Sequence, residues 1–184
     1  MKDNYILTAE SVTAGHPDKL CDAIADSILD TCLKEDPNAR VACEVLATAG
    51  KILVAGELRT TANPDVEAIV RQVVRNSGYD CNYHVEVRLH TQSPDIAGAV
   101  DGDTLGAGDQ GIMYGYACWE TVELLPAPVV LANRITSLLT TCREEKLISG
   151  IGPDGKAQVS VQYTFGVLFR WLPPLSPCSS TRLP

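Results

Sequence analysis

The sequence is poor in basic residues and has no long apolar run, and these absences exclude several classes of protein. Fifteen Lys and Arg residues stand against 23 Asp and Glu residues in the 184-residue chain, which gives a net charge of −8. Nucleic-acid surfaces need clustered cations. No apolar stretch approaches the length of a membrane span, and the N-terminus lacks the apolar segment of a signal peptide. We therefore expect a cytoplasmic protein that binds neither nucleic acid nor membrane.

The sequence also lacks the common metal and nucleotide motifs. Its seven cysteines include no C-x-x-C pair, and its three histidines offer no zinc-ligand spacing with them. We interpret the cysteines as reduced, mostly buried structural residues. The Walker A and Rossmann fingerprints are absent, so neither common nucleotide-binding fold is supported.

Hydrophobic periodicity predicts an α-β-β-α-β order in the first half of the chain. One helix begins at Pro17 and ends before Asp36. A hairpin over residues 40–60, a helix over about 64–78 and a half-buried strand over about 83–89 follow. This order predicts an α+β fold in which helices cover one face of a mixed or antiparallel sheet.

The second half is predicted to form another unit after a long polar loop. Residues 90–110 show little periodicity, and their length and Gly-rich composition predict a mobile active-site lid. We expect a possible strand at 111–118, a helix at about 128–145, a turn at 153–155 and a strand at 157–164. Residues 171–184 contain four prolines and three serines without any period. We interpret the tail after Thr164 as the product of a shifted reading frame or a false gene end, and the alternative is a genuine Pro/Ser-rich disordered tail.

Residues 10–19, ESVTAGHPDK, hold the densest group of chemically active side chains. Pro17 suits the first helical position, and the free N–H groups of that turn favour an anion. Lys19 adds positive charge, His16 can donate a hydrogen bond, and Asp18 can hold a divalent cation. The alternative is an ordinary helix start, in which Asp18 faces the helix dipole and His16 acts as the cap.

Several carboxylates and small residues elsewhere have two interpretations. Glu44 lies in an apolar strand, so it must be paired, near an ion or on a wet face. Glu57 follows small residues that would let a ligand approach the strand, and Gln92 opens the loop, but both are also typical surface residues. Asp109 lies in a Gly-rich run that fits either a ligand contact or a plain turn. The segment Asp154-Gly155-Lys156 is likewise a good turn.

Several motifs resemble those of one enzyme family. GHPDK at residues 15–19 resembles the N-terminal signature of S-adenosylmethionine synthetases, the methionine adenosyltransferases. The other matches, in the family's order, are ACE (42–44), GEL (56–58), QSPDI (92–96), GAGDQG (106–111), PAP (126–128) and PDGKAQV (153–159). The resemblance covers residues 4–164. It implies a two-layer α/β sandwich domain over 1–100, the start of an incomplete central domain over 101–164, and a non-family tail over 165–184.

The resemblance also implies a reaction and assigns roles to residues. In this family the methionine sulfur attacks C5′ of ATP and expels triphosphate, which is then hydrolysed to phosphate and pyrophosphate. The matching positions are His16 and Lys156 for catalysis; His16, Asp154 and Lys156 for ATP; Glu57, Gln92 and Asp109 for methionine; Asp18 for Mg²⁺; and Glu44 for K⁺. A homo-oligomer, dimer or tetramer, is implied as well.

The family's later segments, which carry further phosphate and magnesium contacts, have no counterpart here. Three hypotheses follow from this. The chain is a truncated methionine adenosyltransferase that is inactive alone, or a non-catalytic fragment that pairs with full-length subunits, or a simple anion- or nucleotide-binding domain.

Overall fold

The computed structural model describes residues 4–80, 82–91 and 111–164, together with the backbone of 167–172. Two compact units emerge from the contacts, one of residues 1–20, 76–80 and 116–184 and one of residues 21–75 and 81–115. The elements are β1 (Asn4–Val12), α1 (Pro17–Glu35), β2 (Arg40–Thr48), β3 (Lys51–Arg59), α2 (Val66–Asn76), β4 (His84–Thr91), α3 (Ala127–Glu144), β5 (Lys156–Thr164) and β6 (Val167–Leu172).

The first unit is built on an antiparallel sheet with strand order β1-β5-β6. Its core joins Ala132 of α3 to alternate residues of β5, namely Val159, Val161 and Tyr163. Because successive strand residues point to opposite faces, the intervening residues of β5 face away from α3. Helix α3 therefore covers one face of this sheet.

Hydrogen bonds fix α3 against the strands at two places. The Ser11 hydroxyl on β1 donates to Asn133 Oδ1 at 2.8 Å. At the start of α3, the Glu120 carboxylate accepts the Ala127 N–H at 2.9 Å and the Tyr163 hydroxyl at 2.6 Å. Burial, followed by the hydrogen bond to Glu120, raises the pKa of the Tyr163 phenol. A buried polar group needs such a partner, so Glu120 ties β5 to the first turn of α3.

The second unit contains a mixed sheet with strand order β2-β3-β4. Strands β2 and β3 pair antiparallel, and β3 and β4 pair parallel. Ile52 and Val54 on β3 are fully buried. The apolar stripes of the helices supply most of the other buried side chains of this unit, which are Ile24, Ile28 and Cys32 from α1 and Val66, Val70 and Val74 from α2, and Tyr83 before β4 is buried as well. The α+β class with mixed and antiparallel sheets, predicted from periodicity, is confirmed.

Two expectations were wrong, one about a strand at 111–118 and one about the burial of the cysteines. Residues 111–118 form no strand. Ile112, Met113 and Tyr114 are 80–91% exposed, so this apolar segment has no sheet to join within the described part of the chain. The cysteines are also less buried than expected: Cys32 is buried, whereas Cys43, Cys118 and Cys142 are free thiols of intermediate exposure.

The structure describes only part of the predicted tail and of the predicted lid. Strand β6 lies inside the segment expected to be disordered and pairs with β5 from Thr164↔Val167 onward, so the structure differs from the expectation for 167–172. The predicted lid, apart from 90–91, lies outside the described residues, as do 165–166 and 173–184. The boundaries proposed for the domains stay a prediction. No helix among the described residues is long and apolar enough to cross a membrane.

Candidate functional site

The first unit joins the helix-start motif to the turn before β5 through backbone contacts. The ladder of β1 and β5 ends at the pair Val12↔Lys156, and the Thr13 N–H then donates to Gly155 O at 2.9 Å. The Gly15 N–H donates to Pro153 O at 3.2 Å, and the Thr13 hydroxyl donates to the same oxygen at 2.6 Å. These bonds bring residues 13–16 and 153–156 together, although 140 positions separate Thr13 from Pro153.

The contact is close enough to require glycine at position 15. A Cβ atom built on Gly15 would lie 2.5 Å from the carbonyl carbon and oxygen of Pro153, far inside van der Waals contact. The Gly15 carbonyl also accepts the Tyr79 hydroxyl at 2.6 Å. The backbone before His16 is thus held from both sides.

His16 lies at the N-terminus of α1, with a side chain that is 24% exposed. Its Nδ1 accepts the Asp18 N–H at 3.3 Å, so His16 acts as the helix cap, as the alternative interpretation anticipated. The 3.9 Å separation of Nδ1 from Asp18 Oδ2 would be an ion pair only for a protonated ring. The capping bond uses the lone pair of Nδ1, and the Asp18 carboxylate is 91% exposed. A ring that accepts through Nδ1 carries its N–H at Nε2, which is available as a donor.

Two lysines flank this motif in different environments. The Lys19 ammonium donates to Val12 O at 2.6 Å, which ties the first turn of α1 to the end of β1. The Lys156 ammonium forms an ion pair with the Glu10 carboxylate, and both side chains are 47% exposed. Asp154 lies in the segment that Thr13 and Gly15 hold. The first unit therefore gathers the motif positions of His16, Asp18, Asp154 and Lys156 on two joined segments.

The second unit carries the other two described candidates on one face of its sheet. Glu44 pairs in register with Ala55, and Glu57 pairs with Ala42 on one side and with His90 on the other. Alternation therefore places Glu44 and Glu57 on the same face as Leu46, which is 62% exposed. Glu44 is exposed, and its place beside an ion stays a prediction. Gln92 and Asp109 lie outside the described residues.

Gly56, the residue before Glu57, is required by the packing of the neighbouring strand. A Cβ atom on Gly56 would lie 2.0 Å from Ala42 O, and the φ of Gly56 is +140°. The missing side chain thus admits the carbonyl of the neighbouring strand. The structure therefore explains Gly56 by the approach of β2, whereas we had expected an approaching ligand.

Sequence reasoning gave no role to Glu10, Thr13 or Tyr79, which hold this site in place. Glu10 and Thr13 lie in the segment 10–19 that holds the GHPDK motif, and that proximity was the only signal available. Tyr79 is 64 positions from Gly15, and nothing in its local pattern distinguishes it from a surface aromatic.

The Asp18 carboxylate fits Mg²⁺ that is bound mainly through waters and substrate phosphates. Among the described residues, no group of three or more His, Cys, Asp or Glu side chains could hold a metal ion. Mg²⁺ usually keeps several waters and binds through one or two carboxylates plus substrate phosphates. An exposed Asp18 carboxylate beside a helix N-terminus suits that mode and does not suit a cage made wholly of protein. For K⁺, the structure shows Glu44 as an exposed carboxylate on its sheet face.

Comparison with known proteins identifies the family. The model of the S-adenosylmethionine synthetase N-terminal domain matches residues 4–102, and that of the central domain matches residues 104–168. The chain therefore belongs to the S-adenosylmethionine synthetase family.

Curated relatives agree with this assignment. The S-adenosylmethionine synthase of a Nitratiruptor species is 48% identical over 176 residues, which cover 90% of this chain and 46% of the relative. The synthase of a Sulfurovum species is 49% identical with the same coverage. A synthase of Prochlorococcus marinus is 47% identical over 181 residues, 89% of this chain and 44% of the relative. The chain thus spans slightly less than half the length of these relatives.

Proposed function

We propose that this chain supplies the triphosphate side of a methionine adenosyltransferase site, which forms S-adenosylmethionine from ATP and L-methionine. The observation that carries the proposal is the junction of residues 13–16 with 153–156, because it joins a helix N-terminus to a lysine-bearing turn. Membership of the family supplies the reaction. Its soluble, cytoplasmic character and its assembly into a homo-oligomer belong to the same proposal.

The chemistry needs alignment and charge stabilisation more than proton transfer. The methionine sulfur carries no proton, so no general base is required. The barrier falls when the two substrates are held in line and the charge that develops on the leaving oxygen meets preorganised donors. The Nε2–H of His16 is such a donor, since Nδ1 is engaged by the Asp18 N–H.

The remaining roles are those that the family resemblance assigns to the matching positions, and the charges of the side chains agree with them. Lys156 binds a phosphate oxygen and Asp154 binds the nucleotide, while Asp18 holds Mg²⁺. Bound Mg²⁺ would neutralise phosphate charge. Glu57 binds the ammonium group of methionine together with Gln92 and Asp109, and Glu44 lies beside K⁺. Glu44 is exposed and Glu57 is half-buried on their sheet face, and both are compatible with ligand access.

Substitutions at His16 test the proposal while separating binding from helix capping. We expect weak, millimolar binding of ATP with Mg²⁺ in isothermal titration, and weaker binding after His16→Ala, Asp18→Asn or Lys156→Met. His16→Asn is the matched control for stability, because Asn is a favoured N-cap residue but lacks the ring Nε2–H. It should restore the unfolding midpoint that His16→Ala lowers without restoring ATP affinity. Tight binding that is indifferent to all four substitutions would place the nucleotide elsewhere.

A second candidate function is a non-catalytic fragment that pairs with full-length subunits. It is favoured by the coverage of the relatives and by bare apolar side chains, among them Trp119 at 95% and Val122 at 90% exposure. Co-purification with an intact subunit, without product formation, would support this function over the first.

A further inference from the structure

The outer edge of β1 carries peptide groups that the sheet of the first unit does not use. In the strand order β1-β5-β6, β1 lies at the edge, and no other described strand pairs with it. The Thr13 N–H donates to the Gly155 carbonyl directly opposite, and hydrogen-bonded pairs alternate with non-bonded pairs along an antiparallel ladder. The peptide groups of Ile6, Thr8 and Glu10 therefore point away from β5.

Strand β1 lacks the features by which proteins usually block an exposed edge. Edge strands are commonly short, kinked by a bulge, or marked by lysine or proline. Strand β1 is nine residues long, contains no Lys, Arg or Pro, and pairs with β5 in one continuous register. Its residues 4–8 are all exposed. The edge is therefore suited to accept a further strand.

Two apolar side chains of β1 are left uncovered on the face that α3 shields elsewhere. Tyr5 and Leu7 lie in register with Tyr163 and Val161, so they share the face on which α3 packs against β5. Tyr5 stacks on the buried Tyr163 ring with the ring centroids 4.8 Å apart. Tyr5 is nevertheless 50% exposed and Leu7 38% exposed. A strand added beside β1 would remove this apolar surface from water.

Residues 111–118, GIMYGYAC, have the composition of such a strand. The segment contains no charge and no proline, and β-branched and aromatic residues favour strands. Ile112, Tyr114 and Tyr116 occupy alternate positions, so they would share one face of an extended strand. In the structure these three side chains are 73–91% exposed, and the segment forms no strand. The chain thus presents both an open sheet edge and a strand-forming segment that has no sheet.

A second copy of the chain is the occupant that fits this pair of features. The Cys118 N–H donates to the Leu124 carbonyl at 3.0 Å, and the Thr121 hydroxyl donates to the Leu125 carbonyl at 2.8 Å. These bonds hold the C-terminal end of the segment in a turn while the residues before it stay exposed. Two copies that exchange the segment reciprocally would close both edges in one two-fold assembly.

We infer that the outer edge of β1 accepts residues 111–118 of a second copy as an added strand, so that the 184-residue protein associates by edge-to-edge pairing. Main-chain hydrogen bonds to Ile6, Thr8 and Glu10 supply affinity in this mode, and the pockets beside Tyr5 and Leu7 supply specificity. The inference goes beyond the proposed function and does not depend on it, because neither nucleotide nor metal ion takes part.

The first test is sedimentation equilibrium of the 184-residue protein over a range of concentrations. Tyr114→Lys places a charge on the apolar face of the added strand. It should raise the dissociation constant of the dimer at least about tenfold, because burial of a large apolar side chain is lost. Leu147→Lys is the matched control, since it places the same charge on a residue that is 66% exposed and lies outside the segment. It should leave the dissociation constant unchanged.

The second pair of variants tests the edge itself. Thr8→Pro removes an N–H that points away from β5, so it should weaken the dimer without removing a β1–β5 hydrogen bond. Thr8→Ala is its control, because it also loses the 2.8 Å hydrogen bond between the Thr8 and Ser160 hydroxyls but keeps the N–H. It should dimerise like the wild type. If Thr8→Pro does not fold, Tyr114→Lys decides the question alone.

Amide hydrogen exchange followed by NMR gives an independent readout. The amides of Ile6, Thr8 and Glu10 should exchange rapidly in dilute protein and become protected at concentrations that favour the dimer. The amides of Leu7 and Ala9 point toward β5 and should be protected at both concentrations. Alternation of this kind is specific to a strand added at the edge.

The outcomes that would overturn the inference are distinct. A protein that stays monomeric at every concentration would contradict it. A dimer that is indifferent to both Tyr114→Lys and Thr8→Pro would use another surface. Protection of Ile6, Thr8 and Glu10 at all concentrations would mean that the chain fills its own edge. None of these results bears on nucleotide binding, so the proposed function would stand in each case.

Discussion

Among single side chains, Glu86 on β4 is held ionised by two neighbouring cations. Its carboxylate forms ion pairs with Lys51 and with Arg88, the latter at 2.9 Å. The hydrogen bond from Lys51, followed by that from Arg88, lowers the pKa of Glu86 from 4.5 to about 2. Because the folded-state pKa is depressed, the stabilisation is present above about pH 4.5 and is lost as the pH falls toward 2.

Removing the stronger cation should reverse this shift. We expect Lys51→Met to raise the pKa of Glu86 toward 4.5, and Arg88→Met to raise it less, because Lys51 is the larger cause. A pH titration of the Glu86 side-chain carboxyl signal by NMR measures both values. Equal shifts in the two variants would show that the two cations share the effect, and no shift in either would show that the ion pairs do not persist in water.

Single-residue predictions from the sequence succeeded where the cause was local. The capping role of His16 was foreseen as an alternative because proline at the first helical position and the following acidic residue are neighbours in sequence. The reason for Gly56 was missed because Ala42, the residue whose carbonyl it admits, lies on another strand. Register across strands decides such contacts, and a single sequence does not reveal it.

At the scale of elements, the helices were predicted from local patterns, whereas β1 depends on a distant partner and was missed. The periodicity of α1, α2 and α3 is local, and all three were predicted within about two residues of their ends. Strand β1 was not predicted at all. Its partner, β5, lies about 150 positions away, as in the pair Thr8↔Ser160. Because residues 10–19 were interpreted as a ligand-binding motif, no strand was assigned to the segment that ends at Val12.

The junction of the segment after β1 with the turn before β5 should be sensitive to one methyl group. Gly15→Ala would place Cβ against the Pro153 carbonyl, and relieving such an overlap typically costs about 1–3 kcal/mol. Gly115→Ala is the matched control, because no atom lies within 4 Å of its Cβ position. Urea unfolding should show a lower midpoint for Gly15→Ala and an unchanged one for Gly115→Ala. Equal midpoints would mean that the two segments are not joined as described.

For the molecule as a whole, family membership was predictable from the sequence. Motifs spread over residues 15–159 indicated the family before any comparison, because backbone-contacting glycines and charged residues leave short recognisable strings. The chain covers 44–46% of the length of the three compared relatives, and motifs within it carry no information about contacts that the rest of a relative makes.

The 184-residue polypeptide is expected to form no measurable S-adenosylmethionine by itself. Loss of one preorganised electrostatic contact costs about 3 kcal/mol, or roughly a hundredfold in rate, and the resemblance implies that several phosphate contacts come from segments without counterparts here. The exposed Met113, Trp119 and Val122, each at least 90% exposed, should also promote association. The measurement is product formation by purified protein, alone and mixed with an intact synthase subunit, from a host whose own enzyme has been removed. Capture by the intact subunit is expected to accompany the absence of turnover. Turnover by the isolated chain near that of an intact relative would contradict the prediction and would show that residues 1–164 hold most of the active site.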